Sequence, residues 1–326
     1  ISYSKYGSFY LDLYKDNIII TDYLGNNYIS EISSLINNNK NTPTKLIKNN
    51  ISNIERVYDA LVDEDHIFLS YVKKIDDCKK IVVSSAKINM SEIDYKDIFI
   101  SKSCHNNASP GRMVPFNLEN QKGLILTISS GSYNSPSMES QDTLSIYGKT
   151  IFINLKNGEY KVFSLGHRVV QGLVSYKNIL IATEHGPRGG DEINIIKQGK
   201  NYGWPISSYG EKYDFNYEKT PVYKKSHSDF GFEEPIFSFI PGIGISEIIK
   251  MPENFSEMLP KVFIVSSLYG KSIFFVKFNN LFNKILFSEK IFLNERIRDL
   301  KYEKNNELIL LAFEENGELG ILKKMD

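Results

Sequence analysis

The sequence predicts an all-β fold, and in particular a six-bladed β-propeller of four-stranded antiparallel sheets. Short apolar runs recur along the chain in a common frame, tyrosine and phenylalanine number 20 each, and helical periodicity is scarce. Aromatic and β-branched residues favour strands, and a repeating unit that holds several strands is typical of a propeller blade. A β-sandwich or two smaller β domains is the alternative arrangement.

Six apolar runs mark the repeats. They occupy residues 17–20, 66–69, 123–126, 178–181, 261–264 and 307–310. Most are followed by a turn and a second strand-like run, as at residues 80–83 and 150–153. Successive runs begin roughly 45 to 60 residues apart, with one gap near 80, and this spacing fits one run in each blade. Six repeats therefore predict six blades.

The long gap lies between the fourth and fifth repeats. Its residues, from about 199 to 235, are rich in glycine, tyrosine, serine and lysine, and we interpret them as a loop insertion over one face. No proline- or serine-rich linker divides the chain, so the sequence predicts a single domain spanning residues 1–326. Because loops from every blade of a propeller meet around one axial opening, residues distant in sequence can form one site.

Composition excludes some classes of protein. Basic and acidic residues number 39 each, so the chain lacks the basic excess of a nucleic-acid-binding protein. No run of about 18 apolar residues occurs, and we expect no membrane span. Residues 1–4 include neither methionine nor a signal-peptide pattern, which indicates a mature or trimmed chain. Cys78 and Cys104 are the only cysteines, and they permit either one disulfide in an export compartment or two independent buried thiols.

Residues 165–209 carry more functional chemistry than any other segment. Two strand-like runs, 178–183 and 192–196, flank a glycine-rich turn at residues 185–190, and the only tryptophan follows at Trp204. A hairpin needs only two to five turn residues, and Asn-Gly or Asp-Gly suffices. This turn has histidine, proline, arginine and three glycines, and two adjacent carboxylates follow it. The segment is therefore a candidate functional site.

The same segment resembles a known family. GHRVVQGL, ATEHGPRGGDEIN and GKNYGWPISSYG are similar to the central pattern of the soluble glucose dehydrogenases and aldose sugar dehydrogenases, which use pyrroloquinoline quinone (PQQ). The resemblance is dense over about 45 residues and returns at residues 296–299, which read RIRD. It implies oxidation of a sugar at its anomeric carbon, transfer of the electrons to an external acceptor, and a periplasmic or secreted location.

The resemblance also implies two calcium ions. The carbonyls of Gly186 and Pro187 match those that bind the calcium holding PQQ, and a Gly-Pro turn can present successive carbonyls. Glu192 and the carbonyl of Tyr202 match the ligands of a second, structural calcium. The alternative for all four residues is an ordinary turn followed by a solvated acidic pair.

Three arginines and a glutamine match cofactor contacts of the family. Arg168 corresponds to the arginine that faces the reactive quinone oxygens, Arg296 and Arg298 correspond to the pair that approaches PQQ, and Gln171 keeps its family identity. Guanidinium groups suit a planar tricarboxylate because they bind carboxylates in a bidentate manner and stack on flat rings. Alternatively, Arg168 or Arg298 pairs with a nearby carboxylate such as Asp299.

The family's catalytic base is less well matched. The resembling enzymes place a histidine just upstream of a Gly-Arg pair, where its pKa near neutrality suits proton abstraction. This chain has Ala108 at the expected position, and His105 lies three residues earlier. We therefore take His105 as the candidate base, with a surface or hydrogen-bonded histidine as the alternative.

Three further departures concern polar cofactor contacts. Val169 stands where the family has an amide, residues 54–59 lack the family's glutamine, and Tyr269 stands in place of a lysine. Each lost contact would weaken cofactor binding by about 1–3 kcal/mol.

Two hypotheses about function therefore follow: an oxidoreductase dependent on PQQ and calcium, or a non-catalytic propeller that binds a glycan or a protein partner. In either case aromatic residues of the insertion could stack on a sugar, or else they cover the core: Tyr209, Tyr213, Tyr217, Phe230 and Phe232.

Overall fold

The computed structural model describes residues 7–37, 44–104, 108–131, 138–213, 223–252 and 261–323. The chain groups into two compact units, one formed by Ile1–His105 with Glu295–Asp326 and the other by Asn106–Asn294. The described residues form six small, mainly antiparallel sheets, three in each unit. The fold class is the six-bladed β-propeller, which confirms the prediction from the repeats. The assignment of a single domain stays a prediction.

The first unit contains the first, second and sixth sheets in chain order. The first sheet consists of β1 (Phe9–Tyr14), β2 (Asn17–Asp22), β3 (Asn27–Glu31), β4 (Lys45–Asn49) and the short parallel strand β8 (Glu92–Ile93). The second consists of β5 (Ile54–Asp63), β6 (His66–Ile75), β7 (Cys78–Lys87) and β9 (Lys96–Ile100). The sixth consists of β22 (Ile297–Glu303), β23 (Leu308–Phe313) and β24 (Glu318–Lys323). Helix α1 (Ile32–Asn37) follows β3.

The second unit contains the third, fourth and fifth sheets. The third sheet consists of β10 (Pro110–Leu118), β11 (Gln121–Ile128), β12 (Lys149–Asn154) and β13 (Tyr160–Leu165). The fourth consists of β14 (Val170–Tyr176), β15 (Ile179–Glu184), β16 (Asp191–Ile196) and β17 (Phe237–Phe239). The fifth consists of β18 (Ile245–Lys250), β19 (Val262–Ser267), β20 (Ser272–Phe278) and β21 (Ile285–Phe292). Short 3₁₀ helices span Met138–Ser140 and Ser228–Phe230.

The six apolar runs found in the sequence coincide with the second strand of each sheet: β2, β6, β11, β15, β19 and β23. These strands have a partner on both edges, and β19 is buried along its whole length. Several are entered through two-residue turns with positive φ, as at Lys177 and Asn178 between β14 and β15. Such turns match the right-handed twist of the strands that they join.

Cys78 and Cys104 form a disulfide within the first unit. Their Cα atoms lie 5.3 Å apart, within the range that a disulfide spans. The bond joins the first residue of β7 to the segment that follows β9. The structure thus selects one of the two states that the sequence left open.

The insertion lies inside the fourth sheet. Strands β16 and β17 pair antiparallel although residues 197–236 separate them. Tyr217 falls at residues 214–222, outside the described part of the chain. Among the described helices, none has the length and apolar character needed to cross a membrane.

Candidate functional site

One end of the fourth sheet gathers several of the residues selected from the sequence. The register pairs Val170 with Glu184 and Glu184 with Glu192, so the start of β14, the end of β15 and the start of β16 lie side by side. Arg168 lies two residues before β14, and the turn with Gly186 and Pro187 joins β15 to β16. Strand pairing therefore brings the arginine and the turn to the same edge of the second unit.

The turn is held tightly at both ends. Asp191 accepts the backbone N–H of Gly186 at 3.0 Å through Oδ1 and that of Ile243 at 2.8 Å through Oδ2. Burial alone raises the pKa of Asp191, but the contact with His185 and the backbone N–H groups of Ile245 and Gly186 outweigh it, so the pKa is lowered. Gly190 has a φ of 67°, and a Cβ there would lie 2.3 Å from the backbone nitrogen of Gly210. Only glycine allows this close approach.

The start of the insertion packs on the turn. Arg188 and Glu211 exchange two backbone hydrogen bonds, of 2.8 and 2.9 Å. The hydroxyl of Tyr213 donates to the carbonyl oxygen of Pro187 at 2.6 Å. One of the two carbonyls predicted to bind calcium therefore already accepts a hydrogen bond, which leaves it a second lone pair.

Arg168 is buried beside this turn, with 4% of its surface exposed. Its Nη1 donates to the carbonyl of His185 at 3.2 Å. The guanidinium carbon lies 5.3 Å from the ring centre of Trp204 and 6.0 Å from that of Tyr213, within the range of cation–π attraction. Arg168 and the Pro187 turn are thus brought together, as the sequence predicted for residues of one site.

A buried carboxylate fixes the backbone at Arg168. Glu184 accepts a hydrogen bond from the backbone N–H of Arg168, and its Oε2 lies 3.0 Å from Nδ1 of His167. His167 Nε2 in turn lies 2.7 Å from Ser164 Oγ. This serine, histidine and glutamate have the connectivity of a hydrolytic triad. Ser164 and His167 are fully buried, so a substrate cannot reach them. Since Glu184 also accepts the backbone N–H of Arg168, we interpret the three residues as a group that positions Arg168.

A second buried group connects Glu192 with Tyr202. His227 is 2% exposed, its Nδ1 hydrogen-bonds the carbonyl of Tyr202 at 3.0 Å, and its Nε2 lies 3.4 Å from Oε1 of Glu192. Burial lowers the pKa of His227, but Glu192 outweighs it and the net pKa is raised. The pKa of Glu192 is also raised, mainly because burial disfavours the charged carboxylate. Glu192 and the Tyr202 carbonyl therefore both contact His227, a histidine that the sequence did not single out, and their role as calcium ligands stays a prediction.

Gln171 belongs to an adjoining ion pair through its backbone. Its carbonyl accepts a hydrogen bond of 2.8 Å from Nε of Arg112, and the same Nε lies 2.9 Å from Oε2 of Glu247. Both charged side chains are buried. The structure assigns this role to the Gln171 backbone, and the role of its side chain toward a cofactor stays a prediction.

In the first unit, Arg296 and Arg298 share one carboxylate. Glu314 Oε2 lies 3.1 Å from Nη2 of Arg296, and Oε1 lies 2.6 Å from Nη2 of Arg298. Glu314 Oε1 also accepts from Ser8 Oγ, which in turn accepts from Nη2 of Arg56 at 2.9 Å. The alternative in which an RIRD arginine pairs with a carboxylate is therefore observed, with Glu314 as partner. Arg296 and Arg298 thus contact Glu314 directly, and Arg56 reaches it through Ser8.

We expect Glu314 to stabilise the fold in a pH-dependent way. Burial opposes ionisation, but Arg298, Ser8 and Arg296 lower the pKa of Glu314 from 4.5 to about 2. A lowered folded-state pKa contributes stability above the unfolded-state value, and this stability is lost as the pH falls toward 2. This lowering of the pKa corresponds to about 3 kcal/mol of stability at neutral pH. Glu314→Gln should lower the free energy of unfolding at neutral pH by about this amount and flatten its decline between pH 5 and 2, measured by urea unfolding. Glu318→Gln, at an exposed site on β24, is the control, and equal acid dependence in the two variants would contradict the expectation.

The structure describes only some of the residues at which this chain departs from the family pattern. His105 lies outside the described residues, so its role as a base stays a prediction. Ala108, at the position where the family has its histidine, is 4% exposed. Val169 is equally buried, whereas Tyr269 is 79% exposed. Neither Ala108 nor Val169 has a side chain that can hydrogen-bond a ligand.

Sequence reasoning missed several polar residues of these clusters, among them Glu184, His227, Tyr213 as a partner of Pro187, and Glu314. Glu184 stood inside the quoted ATEHGPRGGDEIN pattern, and its place at the end of an apolar strand was an available signal. His227 lies 35 residues after Glu192 along the chain, in a polar stretch without periodicity, and no sequence signal connects the two.

Comparison with solved structures supports the fold class. A crystal structure of a glucose dehydrogenase superposes with a TM-score of 0.79 at 20% identity, covering 98% of this chain and 96% of that one. The PQQ-bound aldose sugar dehydrogenase of Streptomyces coelicolor superposes with a TM-score of 0.69 at 15% identity, covering 95% and 88%. At these identities the likeness establishes a six-bladed propeller of this architecture.

Sequence comparison identifies the family. The model of the glucose / sorbosone dehydrogenase family matches residues 56–322. The aldose sugar dehydrogenase YliI of Escherichia coli (strain K12) is 28% identical over 278 residues, which are 78% of this chain and 71% of that protein. The chain belongs to the glucose / sorbosone dehydrogenase family.

Proposed function

We propose that this protein is a PQQ-dependent oxidoreductase that oxidises an aldose at its anomeric carbon and passes the electrons to an external acceptor. The observation that carries the proposal is the meeting of Arg168 with the turn of Gly186 and Pro187 at one edge of the fourth sheet. A relative in E. coli is named an aldose sugar dehydrogenase, and a structural neighbour is described as PQQ-bound. Both descriptions support the choice of sugar and cofactor.

The residues around Arg168 fit a planar anionic cofactor. The guanidinium offers several N–H donors and always carries its charge, and the rings of Trp204 and Tyr213 add aromatic surface. Gly186 and Pro187 would supply carbonyl oxygens to a calcium ion, and Pro187 retains one lone pair beside its bond from Tyr213. Considered alone, Arg296 and Arg298 of the first unit share the carboxylate of Glu314, which shows that their guanidinium groups can bind carboxylates.

Each residue has a defined task in this proposal. When bound, PQQ supplies an ortho-quinone that accepts two electrons from the sugar. Arg168 stabilises negative charge near the quinone oxygens because it sits, buried, on the backbone position that Glu184 fixes. His105 is the candidate for accepting the proton of the anomeric hydroxyl. Tyr209 and Tyr213 are candidate stacking surfaces for the sugar.

A second function is favoured by a specific observation. Ala108 is buried at the family's base position and cannot accept a proton, and Tyr213 already covers both Arg168 and the Pro187 carbonyl. These features suit a non-catalytic propeller that binds a glycan or a protein partner through its loops. The two functions differ in whether the chain takes up PQQ.

Reconstitution separates the two functions. The purified protein is incubated with PQQ and calcium chloride, desalted, and assayed for retained PQQ absorbance and for aldose-dependent reduction of an acceptor dye. Retained cofactor together with dye reduction is expected. Absence of uptake at micromolar PQQ would exclude the first function in favour of the second. Uptake without dye reduction would contradict catalysis.

We also propose a periplasmic or secreted location. The Cys78–Cys104 disulfide supports it, because disulfides persist in oxidising compartments and are rare in the cytosol. Labelling of free thiols in protein taken directly from cell fractions provides the check, since a reduced pair would argue against export.

A further inference from the structure

The contacts of His227 differ from those of a calcium site at Glu192 and Tyr202. Calcium takes six to eight oxygen ligands at about 2.3–2.6 Å, so two oxygens that share one ion lie at most about 5 Å apart. Here the Glu192 carboxylate and the Tyr202 carbonyl contact opposite nitrogens of the His227 ring, at 3.4 and 3.0 Å. An imidazole ring therefore fills the space between the two oxygens that the family resemblance assigns to the structural calcium. The residues present do not fit that ion.

His227 is anchored by both its backbone and its ring. Its carbonyl accepts the N–H of Phe230 at 3.1 Å and that of Phe232 at 3.0 Å, which fixes it at the start of the 3₁₀ helix Ser228–Phe230. The ring of Tyr209 lies 5.2 Å from the imidazole, tilted by 31°. With 2% of its surface exposed, the side chain has no open direction in which to swing aside.

The Tyr202 carbonyl and the Glu192 carboxylate both have polar neighbours from the chain. The Tyr202 carbonyl can only accept, so the ring nitrogen that faces it carries a hydrogen and donates. The other oxygen of Glu192 accepts from Nδ2 of Asn194 at 3.1 Å.

We infer that His227 replaces the structural calcium of the family, so that the segment from Glu192 to Tyr202 folds without a metal. Removal of the imidazole, as in His227→Ala, would leave a cavity about the size of the lost ring beside the Glu192 carboxylate and the Tyr202 carbonyl. Water and a cation can enter such a cavity. The chain thus holds a latent calcium site that the native histidine closes.

The wild-type protein gives the first test, and it is made on PQQ-free protein so that it is independent of the proposed function. Thermal unfolding is followed in EDTA and in millimolar calcium chloride, for wild type and for Glu192→Gln. We expect the midpoint of wild type to change by no more than about 1 °C. A calcium-dependent rise of about 5 °C or more that Glu192→Gln abolishes would overturn the inference. A rise that survives Glu192→Gln comes from other oxygens and agrees with it.

The latent calcium site is tested with His227→Ala. We expect its unfolding midpoint in EDTA to fall by several degrees, and calcium chloride to restore about 5 °C of it. The double variant with Glu192→Gln should lose this response. His167→Ala is the matched control, since it removes an equally buried histidine that also contacts a glutamate.

Two results with these variants would contradict the inference about His227. A folded His227→Ala variant that does not respond to calcium would contradict the assignment of these two oxygens. Equal rescue of His167→Ala would show that calcium merely compensates any uncovered carboxylate, and it too would overturn the inference. If His227→Ala does not fold, the comparison of wild type with Glu192→Gln still decides.

Discussion

Arg168→Gln is expected to weaken PQQ binding by about ten- to a hundredfold, with a matching loss of dye reduction. A hydrogen bond to a charged group contributes about 1.5–3 kcal/mol, and each 1.4 kcal/mol is about tenfold in affinity. The side chain is buried against Trp204 and Tyr213, where few water molecules can take its place. Equilibrium titration with PQQ measures the effect.

Two variants sharpen this test. Arg168→Lys keeps the charge but loses the planar fork, so it should fall between wild type and Arg168→Gln. Arg188→Gln changes an exposed arginine in the same turn, which pairs with Glu211 through its backbone, and this variant should bind PQQ as wild type does. Unchanged binding by Arg168→Gln would remove this residue from the cofactor site.

Glu184→Ala should destabilise the fold by about 3–5 kcal/mol, because it breaks a buried charged network by removing one partner. The loss leaves His167 Nδ1 and the backbone N–H of Arg168 without their acceptor. Glu184→Gln keeps the shape and one acceptor oxygen, so it should cost less. Urea unfolding provides the free energies.

The matched control for Glu184 is Glu211→Ala. Glu211 is exposed and pairs with Lys225 at 2.8 Å, and surface pairs of this kind contribute at most about 1 kcal/mol. If Glu184→Ala proved as stable as Glu211→Ala, the buried network would not support the site. If Glu184→Gln folds but binds PQQ more weakly, the carboxylate positions Arg168 as the structure indicates.

The apolar runs predicted the fold well because they report one kind of strand. The second strand of each sheet is paired on both edges and is largely buried, as in β19, so its sequence is a continuous apolar run. Edge strands gave a weaker signal. Strand β21 is mostly exposed along its length, and the spacing of its residues did not identify it.

The site could be predicted only where its residues are close in sequence. Arg168, Gly186 and Pro187 lie in adjoining strands and their turn, and strand pairing brings them together. The contact of His227 with Glu192 depends on how a long polar insertion folds back, which neither periodicity nor propensity specifies. In the structure, Glu192 and the Tyr202 carbonyl both contact His227, a side chain that the sequence did not single out.

PQQ is proposed to bind beside Arg168, and the single tryptophan of the chain can report binding at this place. Trp204 lies 5.3 Å from the Arg168 guanidinium, so a quinone bound there should quench its emission. Titration of the protein with PQQ, with excitation selective for tryptophan, should give quenching that saturates at one equivalent and is weakened in Arg168→Gln. Emission that falls only in proportion to the absorbance of added PQQ, without saturation, would contradict the binding of PQQ beside Arg168.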